Sequence, residues 1–362
     1  MRVLHVAESI KGGCGTYLDQ VVPQQMQADP GATIRVIVPD AHVDQLKRVP
    51  PAQIVPFAGS RSLGAFADLA RTVRREVTTF RPDVVHLHST FAGLIGRPLL
   101  AVGGKRPRVI YCAHGWAFDM DRSGWKLKAV ALAERALARF ADRIVAISDY
   151  ERQRGLDIGI APARIVRVWN GLADQALPPP PPVPGRPRRL LFIGRLDRQK
   201  GYDVLIDAIA PLAGEVELRV VGASVVGDGG VVRDGGSSPA LPGHVTALGW
   251  QGPDRIAQEL AWADLVVVPS RWEGFGLVAL EAMRAGRAVV ATHVGGLPEV
   301  VADGETGRLV APDDVDALRA VLMAITDDEL VRMGRAGRER FERFFTIERT
   351  VEGLDAAYRA GA

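Results

Sequence analysis

Pro269-Ser-Arg-Trp-Glu-Gly-Phe-Gly-Leu-Val-Ala-Leu-Glu-Ala-Met283 follows directly on the apolar run Leu265–Val268. The run predicts a buried strand, Gly274 and Gly276 predict a turn, and Leu277–Ala285 predicts a helix that stops near Gly286. A strand feeding a helix through a glycine turn is the repeating unit of a parallel sheet. The backbone N–H groups around Phe275, Gly276 and Leu277 open that helix. Such groups lack helical acceptors and sit at the positive end of the dipole, so they suit an anion or a hydroxyl. Glu273 stands in the turn, and Glu281 lies about one and a half turns into the helix. Two carboxylates so placed can accept hydrogen bonds from the hydroxyls of one sugar-like ligand.

The same rhythm runs outward in both directions. Before it come the β-branched runs Val3–Ala7, Thr33–Val38, Ile54–Phe57, Val84–His88, Val109–Ala113, Arg143–Ile147 and Ile165–Val168. Around it lie Leu190–Ile193, Val216–Val221, Val245–Leu248 and Ala288–Thr292. Helical patterns such as Leu63–Phe80, Trp125–Ala141 and Tyr202–Ala210 separate them. Apolar strands alternating with amphipathic helices mean parallel sheets covered on both faces. Pro178 to Pro182, followed by Pro184 and Pro187, can form neither helix nor central strand and stays extended. The predicted fold class is therefore α/β, with two doubly wound Rossmann-like domains. Their expected bounds are 1–177, a proline-rich linker 178–187, and 188–345. The segment Asp313–Ala362 reads as wholly helical, and its end, 346–362, is expected to pack back on the first domain. Ligands of such sheets bind beyond the carboxyl ends of the strands, which predicts a site in a cleft between the domains.

With 362 residues, 47% hydrophobic and 24% charged, the chain has room for about two cores and is not of disordered, collagenous or disulfide-scaffold type. Cys14 and Cys112 are expected to be free thiols in a reducing compartment. The opening MRVLHVAES does not resemble a signal peptide, and no apolar run reaches membrane-spanning length, so a cytoplasmic location is expected. The net charge of +3 conceals an asymmetry. Residues 1–180 hold 24 Lys and Arg against 16 Asp and Glu, a balance of +8; residues 181–362 hold 21 against 26, a balance of −5. A basic half suits an anionic partner. The stretch from Trp125 to Arg135, continued by Arg139 and Arg143, reads as a basic amphipathic helix suited to an anionic membrane surface. No nucleic-acid recognition motif accompanies it.

Three further segments carry chemistry. Gly194-Arg-Leu-Asp-Arg-Gln-Lys-Gly201 follows a strand and offers the planar fork of Arg195 and the point charge of Lys200, both suited to a diphosphate. Lys11-Gly-Gly-Cys-Gly15 is a glycine turn between strand and helix, but Leu18 stands where a dinucleotide fingerprint needs glycine. Tyr111-Cys-Ala-His-Gly-Trp116 ends a strand on His114, a position that favours function over packing.

Together these segments resemble the retaining glycosyltransferases of family 4, which have the GT-B fold, over essentially the whole chain. Glu273 to Glu281 matches the family's E-x7-E signature, Arg195 and Lys200 its G-R-x4-K-G segment, and His114-Gly115 its first-domain histidine. Asn170-Gly171 matches its P-N-G, with Trp169 in place of the proline, and Glu299 and the stretch Asp303 to Gly307 are also typical. The resemblance implies a nucleotide-sugar donor, UDP- or GDP-linked, and a saccharide or lipid-linked acceptor, as in surface or exopolysaccharide assembly. It implies that Arg195 and Lys200 hold the diphosphate, Glu281 the ribose, Glu273 with the amides of Phe275, Gly276 and Leu277 the transferred sugar, and that His114 lies near the reacting centre. Gly13 would lie near the diphosphate and Gly222 beside the nucleotide. No enzyme nucleophile and no metal or other cofactor is then required. In one departure, the residues after Gly222, Ala223–His244, read as a glycine-rich loop where the family has a short helix.

Other readings remain open at the level of sequence. Asp119-Met-Asp121 and Asp314-Val-Asp316 have the D-x-D form of a metal motif, but neither follows a strand end. His86 and His88 share one strand face, yet a metal would need further ligands that the sequence does not supply. His88 is expected to line the cleft and His86 to pack. A GT-B-like protein that binds sugar nucleotides without transferring them, a sugar-nucleotide epimerase, and a phosphorylase needing a pyridoxal site are the alternatives.

Overall fold

The computed structural model describes residues 1–59, 62–102, 106–119, 124–175, 187–223 and 241–360. They fall into two units, Met1–Ala173 with Ile347–Ala362, and Asp174–Thr346, each built on one parallel sheet.

The first unit runs β1 (Arg2–Ala7), α1 (Gly13–Ala28), β2 (Thr33–Pro39), β3 (Ile54–Phe57), α2 (Leu63–Thr79), β4 (Val84–His88), α3 (Thr90–Ala101), β5 (Arg108–Cys112), α4 (Gly124–Leu137), β6 (Arg143–Ala146), α5 (Asp149–Asp157) and β7 (Ile165–Arg167). Its sheet order is β3-β2-β1-β4-β5-β6-β7. The second unit runs β8 (Arg188–Ile193), α6 (Tyr202–Ile209), β9 (Val216–Val221), β10 (Val245–Gly249), α7 (Pro253–Trp262), β11 (Leu265–Val268), α8 (Leu277–Arg284), β12 (Ala288–Thr292), α9 (Leu297–Val300), β13 (Gly307–Val310), α10 (Val315–Ala324) and α11 (Asp327–Phe344). Its order is β10-β9-β8-β11-β12-β13. The chain then returns to the first unit as α12 (Ile347–Arg359).

Helices cover both faces of each sheet, so central strands such as β4, β11 and β12 are buried at every position. That burial is why the sequence shows them as unbroken runs rather than alternations. In each sheet the chain reverses its direction of growth beside the first strand, between β1 and β4 and between β8 and β11. Loops leaving the carboxyl ends of those neighbours diverge and leave a crevice, the usual ligand position of this architecture.

The segment from Asp313 onward is helical, as expected, in three pieces, α10, α11 and α12, interrupted at Ile325-Thr326 and Phe345-Thr346. Thr326 is extended, accepts from Glu329 N–H, and receives the Glu329 side chain in return, a reciprocal cap that starts a new helix. Asp314 likewise caps α10 through Ala317 N–H at 2.8 Å. The strand β13 has no counterpart in the sequence reading. It is short and opens on Gly307, where a Cβ would come 2.1 Å from the Val289 carbonyl oxygen, so glycine is required for β13 to pair with β12.

The first unit ends at Ala173, ahead of the proline run, because Asp174 is held by Arg338 of α11 through bonds of 2.6 and 2.7 Å. The prolines Pro178 to Pro182 and residues 224–240 of the glycine-rich stretch lie outside the described residues. Helix α12 is tied to the first unit by Ile347 N–H to the Leu172 carbonyl (3.0 Å) and Thr350 Oγ1 to the Trp169 carbonyl (2.9 Å). Among the described residues no helix is long and apolar enough to cross a membrane, and both cysteines are free.

Candidate functional site

In the second unit, four loops leave the carboxyl ends of β8, β9, β11 and β12, and glycines let their backbones touch. A Cβ on Gly222 would lie 1.8 Å from the Gly194 carbonyl oxygen, one on Gly201 1.9 Å from that of Pro269, and one on Gly295 1.7 Å from that of Glu273. Gly201 and Gly295 also have positive φ, 63° and 55°. Side chains at these positions would push the loops apart.

The contacts bring together residues far apart in sequence. Lys200 Nζ lies 2.5 Å from Glu273 Oε2, and Ser270 Oγ donates to the same oxygen at 3.4 Å. Both members of the ion pair are largely buried, with side-chain exposures of 20% and 14%. Asp197 caps the turn Arg198–Lys200 by accepting from Lys200 N–H, which fixes where the lysine starts. Gly276, at φ 101°, redirects the chain into α8, so the first-turn amides of that helix open next to Glu273 in sequence. Phe275 is buried against Phe345, so its backbone amide, not its ring, is what it can offer a ligand. Burial pushes the Glu281 carboxyl above its ordinary pKa, and Arg284 opposes the shift.

Arg195 is not drawn into this pair. It is half-exposed and bound to Asp197 (3.0 Å) and Gln199 (2.6 Å) of its own loop. Arg271 was not singled out in the sequence, yet it organises the site. It bonds Asp203 at 2.7 Å, Asp313 at 2.5 Å and the Arg198 carbonyl at 2.8 Å, so it clamps the Gly194–Gly201 loop to the Pro269–Gly276 loop. The acidic D-x-D candidates have structural partners: Asp316 pairs with Arg319 and Asp119 with Arg154, while Asp121 lies outside the described residues.

In the first unit, His114 follows β5 with φ 55° and Gly13 opens α1. His114 is joined to a cluster the sequence did not reveal. His88 Nδ1 lies 2.9 Å from His114 Nε2, His5 Nδ1 2.9 Å from His88 Nε2, and His5 Nε2 2.9 Å from Gln25 Oε1. His86 Nδ1 lies 2.7 Å from the Tyr358 hydroxyl of α12, which also receives Gln25 Nε2 at 3.3 Å. The Tyr17 ring meets that of His114 edge-on at 4.8 Å. His88 therefore does not line an open surface; like His5 and His86 it is fully buried. The third imidazole missing from the sequence reading is His5, paired in register with His86, and the three present ring nitrogens within 4.8 Å of one another, close enough to hold a metal. Burial lowers all four pKa values, those of His5 and His114 to about 4 and those of His86 and His88 well below the ordinary imidazole value, so the imidazoles are neutral at pH 7. The signal available in sequence was a histidine inside the apolar run Val3–Ala7, since a buried polar ring needs partners.

Two features define a class: two doubly wound units, each with its strands in 3-2-1-4-5-6 order and the first with a seventh strand after them, and a lysine–carboxylate pair beside a glycine-led helix start. A Glycosyltransferase Family 4 model matches residues 11–176, and a Glycosyl transferases group 1 model matches residues 187–328. A 41.2 kDa protein from the cps region of Klebsiella pneumoniae is 32% identical over 334 residues, 89% of each chain. The phosphatidyl-myo-inositol mannosyltransferase of Mycolicibacterium smegmatis is 30% identical over 327 residues, 86% of this chain and 80% of its own. In structure, Anabaena HepE in complex with UDP-glucose superposes with a TM-score of 0.79 at 21% identity over 99% of both chains. The chain belongs to glycosyltransferase family 4 and has the GT-B fold. It is a nucleotide-sugar glycosyltransferase.

Proposed function

We propose that the protein is a retaining, metal-independent hexosyltransferase that uses a nucleoside-diphosphate sugar and extends a saccharide or lipid-linked acceptor of a bacterial surface polysaccharide. The observation that carries this reading is the Lys200–Glu273 pair at the carboxyl end of β11, where α8 begins. An ammonium and a helix start can take up the charge of a departing nucleoside diphosphate, which is the dominant requirement of such a transfer. In this scheme the diphosphate draws Lys200 from Glu273 and gains Arg195 once that side chain leaves Gln199. Glu273, released from its cation, accepts from the hydroxyls of the transferred sugar, together with the amides of Phe275, Gly276 and Leu277. Glu281 holds the ribose, its carboxyl oxygens accepting from the ribose hydroxyls. Gly222 and Gly13 let backbone approach the nucleotide and the diphosphate, and His114 sits at the reacting centre. With cations meeting the leaving group, the acceptor hydroxyl attacks from the face the nucleotide leaves, and configuration is kept without an enzyme nucleophile.

The polysaccharide setting is supported by the relative from a cps region. A cytoplasmic position at an anionic membrane is supported by α4, whose exposed residues include Trp125, Lys126, Lys128, Leu132 and Arg135. Lys and Arg stems with an aromatic anchor suit a headgroup layer. The direct test has two steps. A thermal-shift panel of nucleoside diphosphates and nucleotide sugars identifies the donor, because a ligand of the folded state raises the melting temperature. Proton NMR of the first product then reads the anomeric configuration; an inverted product rejects the retaining assignment.

A further inference from the structure

The histidine cluster of the first unit is a single hydrogen-bonded chain, and its order constrains where every proton sits. A neutral imidazole has one N–H and one lone pair, so each ring that receives a hydrogen bond on one nitrogen must donate from the other. Gln25 stands at the closed end. Its Nε2 faces the Tyr358 hydroxyl and its Oε1 faces His5 Nε2. An amide oxygen only accepts, so His5 carries its proton on Nε2 and offers a lone pair on Nδ1. His88 must then donate from Nε2 to His5 Nδ1, and His114 from Nε2 to His88 Nδ1. In the side branch the Tyr358 hydroxyl, receiving from the amide, has its own proton free to donate to His86 Nδ1, while His86 Nε2 is buried and unpartnered among the described residues.

We propose that Gln25 is a positioning residue that, acting through His5 and His88 in series, fixes the tautomer of His114 as Nε2–H and leaves its Nδ1 as a hydrogen-bond acceptor. Turning the Gln25 amide over would reverse every proton in the chain and make His114 Nδ1 a donor. The amide therefore decides whether His114 can receive a hydroxyl proton of a ligand or must donate to one. All four rings are neutral at pH 7, as such a chain requires. The adjacent strands of the sheet supply the spacing: His5 and His86 are register partners on β1 and β4, and His88 pairs with Ala7 and Cys112. The same nitrogens cannot serve a metal at the same time, since the His5–His88 bond uses the lone pair that a metal would take. The consequence for turnover rests on the role proposed for His114; the tautomer itself does not.

The test is nitrogen-15 NMR of histidine-labelled protein at pH 7.5, without ligand. Wild type is expected to show His5, His88 and His114 each with a pyridine-like Nδ1 and a pyrrole-like Nε2. A pyrrole-like His114 Nδ1, an averaged mixture of tautomers, or stoichiometric bound zinc overturns the proposal, and none of these readings needs a variant. Gln25→Met removes the amide while keeping bulk, and Gln25→Glu keeps an acceptor for His5. With folding verified by circular dichroism, the Met variant is expected to give mixed His114 tautomers and at least a several-fold lower kcat with donor KM within twofold. The Glu variant is expected to restore the Nε2–H tautomer. A Met variant with wild-type tautomers refutes the relay. Altered tautomers with unchanged kcat refute the proposed role of His114 at the reacting centre and leave the relay standing.

Discussion

Gly295→Ala isolates the contact that fixes Glu273. A Cβ at this position would sit 1.7 Å from the Glu273 carbonyl oxygen and 2.8 Å from its carbon, with the backbone at φ 55°. Carbon and oxygen normally stay about 3.3 Å apart, so the Glu273 backbone must retreat by roughly 1.5 Å. The left-handed conformation costs an alanine about 1 kcal/mol. The retreat breaks the 3.3 Å bond from Gly296 N–H to the Glu273 carbonyl, about 1 kcal/mol more. Displacing packed loops adds on the order of 1–2 kcal/mol, for a total of about 3–4 kcal/mol. In a unit of this size that corresponds to a fall of about 10 °C in melting temperature. Gly214→Ala is the control, because Gly214 lies in the same unit at φ 87° with no atom within 4 Å of its Cβ. It bears only the backbone cost, about 1 kcal/mol and about 3 °C. Calorimetry of both variants reads the difference. Transfer assays should show Gly295→Ala reduced about 100-fold, since a misplacement of about 1 Å has that effect on a reacting geometry, with Gly214→Ala near wild type. Equal melting shifts in the two variants, or a Gly295→Ala enzyme with normal turnover, would refute the idea that this close approach sets the carboxylate.

Four other outcomes are expected. Lys200→Ala should lower kcat at least 100-fold, because the leaving group loses the cation that meets its charge; near-normal turnover in steady-state assays removes that role. Treatment with a chelator should leave transfer unchanged, and a complete loss reversed by magnesium rejects the metal-independent scheme. On acidification, stability should fall between pH 6.5 and pH 4: His5 and His114 have folded pKa values of about 4 against 6.5 unfolded, so the unfolded chain binds more protons across that window. At full effect each contributes at most about 3 kcal/mol, and urea midpoints that stay flat from pH 7.5 to pH 5 contradict it. Sedimentation with anionic vesicles should capture the protein at low salt and release it as salt rises, while salt-independent or absent binding removes the membrane role of α4.

Much of the fold was legible because it is written in local pattern. Buried parallel strands show as apolar runs, and Leu265–Val268, Ile54–Phe57 and Val216–Val221 appear in the structure with the bounds the runs suggested. The glycines at 201, 222 and 276 marked the turns for a physical reason, since each adopts positive φ or meets a neighbouring backbone. What the pattern hid was short or capped. Gly307–Val310 is too brief to show a period, and Thr326 reads as one more polar helix residue until its side chain is seen to cap a new helix.

Spacing within a few residues was enough to place the two parallel sheets and the loops that carry Arg195, Lys200, Glu273 and His114, and to carry the family resemblance. Which of those residues meet was settled by packing between segments far apart in the chain. It set Lys200 on Glu273 across 73 positions, kept Arg195 in its own loop, made Arg271 the clamp, and joined Gln25, His5, His88 and His114 into one chain with Tyr358 of the last helix beside it. Those pairings arise between neighbouring strands of one sheet, their loops and the helices packed on them, and strand order, unlike strand content, is not encoded in any local run of residues.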